Sequence, residues 1–186
     1  MKIVSIFSWC NMPQSKETSF KIGDTVVYPS HGVGRITGEE SQVIAGIDMK
    51  LYVISFDKDK MILRVPKNRA EKAGLRHLSS TVEFKQALQA LQGKAKAAKG
   101  MWSKRAQEYE LKINSGNIVA IAEVLRDLHP NVDDPNRSYS ERTIYEAAMD
   151  RLAHEFAASS TVDYETAGKQ IREMLDESRL LHQAAA

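Results

Sequence analysis

At 186 residues, 42% hydrophobic and 27% charged, the chain has the composition of a folded protein, with room for one large domain or two small ones. Its single cysteine, Cys10, excludes an internal disulfide framework and a cysteine-built zinc site, and no stretch approaches the roughly 18 apolar residues of a membrane span. The formal net charge of +2 conceals a segregation, because residues 94–106 carry five basic side chains and no acidic one, whereas 107–186 carry 8 basic and 15 acidic.

The opening "MKIVSIFSWC" resembles a weak signal peptide but lacks a small-residue cleavage site, and a polar, turn-like "NMPQSKETS" follows it. Residues 1–19 read as a disordered extension in which Trp9 and Cys10 have no functional part. From about 22 to 66 the pattern is β. "DTVVYP", "KLYVISF" and "MILRVP" are short and rich in β-branched or aromatic residues, and "SHGVG" and "IAGID" supply turn glycines. In "GRITGEESQVI" the alternation is imperfect, with Ile36, Val43 and Ile44 as the inward residues. Four or five short antiparallel strands suggest a small, partly open barrel with an exposed edge able to accept a partner strand.

"NRAEKAG" reads as a helical turn ended by Gly74, and Ser80 then caps a helix bearing Val82, Phe84, Leu88 and Leu91. "QGKAKAAKG" follows as a flexible basic connector. Beyond it the chain is helical. Ser103 opens "SKRAQEYELKINSG", which stops at Gly116, and "NIVAIAEVLRDLHP" carries an apolar stripe closed by Pro130. A capping box pairs Ser138 with Glu141 ahead of Ile144, Ala148, Leu152 and Phe156. A last helix from about Asp163 to Leu180 buries Ala167, Ile171, Met174 and Leu175. These helices make a compact bundle, so the fold class is α+β.

A search for catalytic chemistry finds little. No phosphate-binding glycine loop is present, the five histidines are scattered, and the carboxylate pairs sit in loops or at helix ends. The expectation is a protein that is not an enzyme and needs no cofactor. "YPSHGVG" at 28–34 reads as a glycine-dependent turn or as a binding loop around His31, and Phe20, Tyr28, Tyr52 and Phe56 as core aromatics before a cation cage. If Met61, Leu63 and Val65 face inward, Ile62 and Arg64 point outward, and Arg64 is either a solvated arginine or an interface anchor.

Trp102 stands among Lys99, Lys104 and Arg105 at a helix start. It either packs onto the bundle from outside or serves as an apolar wedge at a base step in a DNA minor groove. In the second case Lys104, Arg105 and the helix N-terminus hold phosphates, and Lys94, Lys96 and Lys99 add mobile charge. Such binding has weak sequence preference and strong salt dependence.

"FKIGDTVVYPSHGVGRI", "MILRVP" and "MWSKRAQEYELKINSGNIVAIAEVLRDL" resemble the CarD/CdnL family of bacterial transcription regulators over about residues 20–180, and the first domain is similar to the polymerase-interacting domain of transcription-repair coupling factors. The resemblance implies a Tudor-like barrel over 20–92 that binds the RNA polymerase β subunit, a flexible linker over 93–100, and a helical DNA-binding domain over 101–186. It implies that Trp102 wedges into promoter DNA at the upstream edge of the melted bubble and that Lys104 and Arg105 hold phosphates. Arg64 and its neighbour Ile62 would meet polymerase, and a second polymerase-contacting arginine of some members aligns with Gln42. The implied protein is a cytoplasmic monomer, brought to the nucleoid by polymerase, that stabilises the open promoter complex. A protein–protein adaptor with no direct DNA role is the alternative.

Overall fold

The computed structural model describes residues 20–44, 46–96, 100–135 and 137–184, so the extension expected over 1–19 lies outside the described residues. Five strands come first: β1 (Thr25–Tyr28), β2 (Gly32–Ile44), β3 (Ile47–Phe56), β4 (Met61–Pro66) and β5 (Arg76–His77). They form one antiparallel sheet in the order β4-β3-β2-β1-β5. β4 and β5 do not pair with each other, so the small barrel expected here is open and, among the described residues, β4 is a free edge. Side-chain alternation sends Val26, Ile36, Tyr52, Ile54, Phe56 and Val65 into one core with Phe20, Ala70 and Leu75. Gly34 is a requirement of that core, since a β carbon there would lie 2.8 Å from the Phe56 ring. Three of the four candidate cage aromatics, Phe20, Tyr52 and Phe56, are therefore core residues.

β2 changes register between Ile36 and Gly38, an irregularity of the kind that bends a strand. Beyond Tyr52 the β2–β3 hairpin outruns the core. Val43, expected inward, is 70% exposed for that reason, and the Ile44 side chain lies outside the described part.

Helices α1 (Thr81–Gln92), α2 (Trp102–Asn114), α3 (Ile118–Leu128), α4 (Tyr139–Ser160) and α5 (Tyr164–Ala184) follow. The capping box at α1 is formed by Ser80 and Glu83, and Asn117 caps α3 through Val119 and Ala120 N–H. At α4, Ser138 Oγ accepts from Glu141 N–H at 3.1 Å, while the Glu141 carboxylate turns towards Arg137 at 3.6 Å. α1 buries Phe84, Ala87 and Leu91 in the same core as Ile121, Leu125, Leu152 and Ile171, and lies against α3 and α5. It belongs with the helices, although its sequence neighbourhood suggested the sheet domain. Val82, half a turn from that stripe, is 64% exposed instead of buried. Lys96 N–H donates to Asp127 Oδ1 at 3.0 Å, so residue 96, early in the segment expected to be a flexible connector, is tied to α3. Among the described residues no helix is long and apolar enough to cross a membrane.

Candidate functional site

Two surfaces gather the residues singled out in the sequence. The first is the outer face of the sheet. In β4, Leu63 and Val65 point into or against the core, while Ile62 (58% exposed) and Arg64 point away from it. Register places Val53 opposite Arg64, Glu40 opposite Leu51, and Gln42 opposite Met49. Ile62, Arg64 and Gln42 thus lie on one face. Across β3 the Arg64 guanidinium forks onto Glu40, with Nε to Oε2 at 2.7 Å and Nη2 to Oε1 at 3.3 Å. That hydrogen bond holds the Glu40 carboxyl below its ordinary pKa. Glu40 was missed in the sequence, because only register brings it to Arg64.

The second surface surrounds the start of α2. Its N-cap is Met101, whose side chain makes no capping bond, so Trp102 is the first helical residue and Ser103 is not the cap. A methionine offers no oxygen to the first-turn N–H groups, which point outwards from the helix end. The Trp102 ring is half-buried. It packs on the helical core, its centroid is 6.4 Å from that of Tyr109, and its Nε1–H donates to Ser140 Oγ at 2.8 Å. Ser140 belongs to the first turn of α4, so the N-termini of α2 and α4 meet at the indole. The Arg105 guanidinium sits over the ring with its carbon 5.2 Å from the centroid. Lys104 is exposed, and neither Lys104 nor Arg105 has an ion-pair partner among the described residues. Lys99 lies outside the described residues. Met101 (65% exposed) and Tyr139 (83%) border the indole's two helix starts. Ser140 and Tyr139 carry no sequence signal, since a serine and a tyrosine in a capping segment look ordinary.

The aromatic and the two cations thus form one patch, and the ring is neither sealed in the bundle nor free of it. His129 is 3% exposed between Tyr145 Oη (2.9 Å) and Asp176 Oδ1 (3.0 Å). Burial outweighs the Asp176 carboxylate and lowers its pKa, and burial pushes the Tyr145 phenol up to about 12. A neutral ring with Nε2–H facing Asp176 and Nδ1 accepting from Tyr145 satisfies all three groups.

Comparison with known proteins relates the sheet and the helices to one family. Residues 20–79 match the model of the CarD-like/TRCF RID domain, and residues 86–172 match that of the CarD C-terminal domain. The YdeB protein of Bacillus subtilis (strain 168), named for a role in transcription, is 27% identical over 136 residues, covering 73% of this chain and 89% of that protein. The two domain matches fall in family order, one on the sheet and one on the helices, and the chain belongs to the CarD/CdnL family of transcription factors.

Proposed function

We propose that the protein binds the β subunit of RNA polymerase through the β4 edge and the outer sheet face, and stabilises the open promoter complex by wedging Trp102 into the DNA minor groove without catalysing a reaction. One observation carries the reading: a half-exposed indole stands at a helix start beside Lys104 and Arg105, two cations with no counter-ion among the described residues. The cations attract phosphates wherever the duplex approaches, and the apolar ring lowers the free energy of a base step that is already unstacked. DNA melted at that step gains more from the ring than closed duplex does, so binding shifts the equilibrium towards opening by the difference. On the sheet, Ile62, Arg64 and Gln42 would meet polymerase together, and β4 offers unpaired backbone groups to an incoming strand. Acting with polymerase, the protein would work as a monomer at the nucleoid.

Open-complex lifetime on a linear promoter fragment tests the reading. Trp102→Ala should retain binding to the polymerase β lobe and lose about tenfold of the lifetime extension, equivalent to roughly 1.4 kcal/mol of differential binding. An alanine variant that extends the lifetime as well as its parent removes the wedge.

A further inference from the structure

The "YPSHGVG" turn has no part in either surface, and it lies in the seam between sheet and helices. Pro29 sits against Gly74 and Gly116, where β carbons would come within 2.6 and 3.4 Å of its ring. The Ser30 carbonyl accepts from Arg151 of α4. Gly32, at a φ of +81°, leaves the space that Arg151 occupies, since a β carbon there would be 2.9 Å from Nη1. Lys58, in the turn after β3, pairs with Asp150 of α4.

The centre of the seam is Arg76 of β5 with Glu155 of α4, whose side chain is only 3% exposed. Arg76 Nη1 and Nη2 donate to the two carboxylate oxygens at 2.7 and 2.9 Å, and Ser79 adds its N–H (2.9 Å) and hydroxyl (2.7 Å) to Oε1. The other Arg76 donors reach the Gly116 carbonyl at the α2–α3 turn (3.0 and 2.5 Å) and the His77 carbonyl (2.9 Å). Every donor-bearing nitrogen of the guanidinium and both oxygens of the carboxylate are in use. The pair has no capacity left for a ligand, and a planar fork fixes the relative orientation of the elements it joins.

We propose that Arg76 and Glu155, assisted by Arg151 and Lys58, are positioning residues that hold the sheet and the helices as one rigid gauge, so that the β4 edge and Trp102 stand at a set separation and angle. The proposal rests on the function proposed above. If both surfaces engage one polymerase–promoter assembly, the second contact is intramolecular, and its strength depends on whether the geometry of the first delivers it to the right place. A rigid seam loses that orientational freedom once, on folding, instead of at each promoter. Arg76 also grips Gly116, the residue at the end of the helix that Trp102 begins, so the sheet acts directly on the axis of α2.

The test uses the full chain, with Glu155→Gln and, separately, Arg151→Met, which removes only the tie to Ser30 and carries the experiment should the first variant fail to fold. Residual dipolar couplings report whether sheet and helices share one alignment tensor. Affinities for the polymerase β lobe and for duplex DNA are measured apart from open-complex lifetime. The expected result is separate affinities within about twofold of the parent, loss of the common tensor, and roughly a tenfold loss of lifetime extension. A common tensor retained in both variants overturns the seam as the source of orientation. A loosened orientation with parental lifetime overturns the gauge. If the parent itself leaves the lifetime unchanged, the promoter reading falls and the gauge loses its task, whatever the couplings show.

Discussion

Arg64 is held before any partner arrives. Its fork onto Glu40 fixes the guanidinium plane over the outer face, with Val53 and Leu51 beneath at 9% and 3% exposure. An exposed pair of this kind contributes little to stability, so its consequence is orientation. Arg64→Glu places a second carboxylate next to Glu40 and reverses the charge on the face proposed to meet polymerase. Binding to the isolated β lobe is then expected to weaken by about tenfold or more, while the melting temperature changes little. Unchanged affinity in a titration would take Arg64 out of the interface. The outward setting of Arg64 and Ile62 was legible because a strand alternates with period two and "MILRVP" has its large apolar residues in phase. The partnership with Glu40 was not legible. A one-residue irregularity near Gly38 shifts which β2 residue shares a face with β4, and nothing in the local sequence announces it.

Helices were legible wherever a cap and an apolar stripe agree. The Ser80 cap of α1, and the stripe of α3 from Ile118 to Leu128, are where the sequence puts them. The start of α2 was misjudged by two residues because Ser103 is a better cap than Met101 by preference alone. Packing of Trp102 onto Tyr109 and its bond to Ser140 instead carry the indole into the first turn. A second element-scale contact is testable by pH. His129, at the end of α3, faces Tyr145 of α4 and Asp176 of α5, with Arg179 and Asp133 nearby. Its pKa is lowered from 6.5, so as pH falls below that value the unfolded chain takes up a proton that the folded chain refuses. Stability therefore falls with pH from about 6.5 down to the folded-state pKa, with a slope bounded by one proton. The carboxylates with lowered pKa, Glu40, Glu83, Glu123 and Asp163, act below their ordinary values of 4.5 for glutamate and 3.8 for aspartate and leave this window clear. Thermal melts should show the melting temperature declining from neutral pH to about 5 in the parent and a flatter course in His129→Gln, which keeps a donor and an acceptor but does not titrate. Parallel curves would mean that His129 is protonated alike in both states.

If the protein binds DNA as proposed, charge across the whole molecule favours one approach for it. Nothing in the sequence paired Arg76 with Glu155, 79 residues apart, so the seam between sheet and helices emerged only from the fold. The charge pattern, by contrast, was plain. Residues 107–186 carry an acidic excess, and several sheet cations are engaged, Lys58 with Asp150, Arg64 with Glu40, Lys67 with Glu39 and Arg76 with Glu155. Among the described residues, Lys104 and Arg105 are the cations beside the indole that have no ion-pair partner. If they carry the phosphate contacts, the logarithm of affinity for duplex DNA must fall linearly with the logarithm of salt, by about 0.9 per contact. Replacing both by glutamine should then reduce the slope by roughly 1.8 and weaken binding alike on unrelated sequences. Trp102→Ala should lower affinity at every salt concentration without altering the slope, because an indole releases no counterion. A parental slope in the double variant would put the phosphate contacts elsewhere. A shallow slope in the parent itself would favour an adaptor in which the indole anchors a protein, because an indole between two unpaired cations can take hold of a duplex only by displacing its salt.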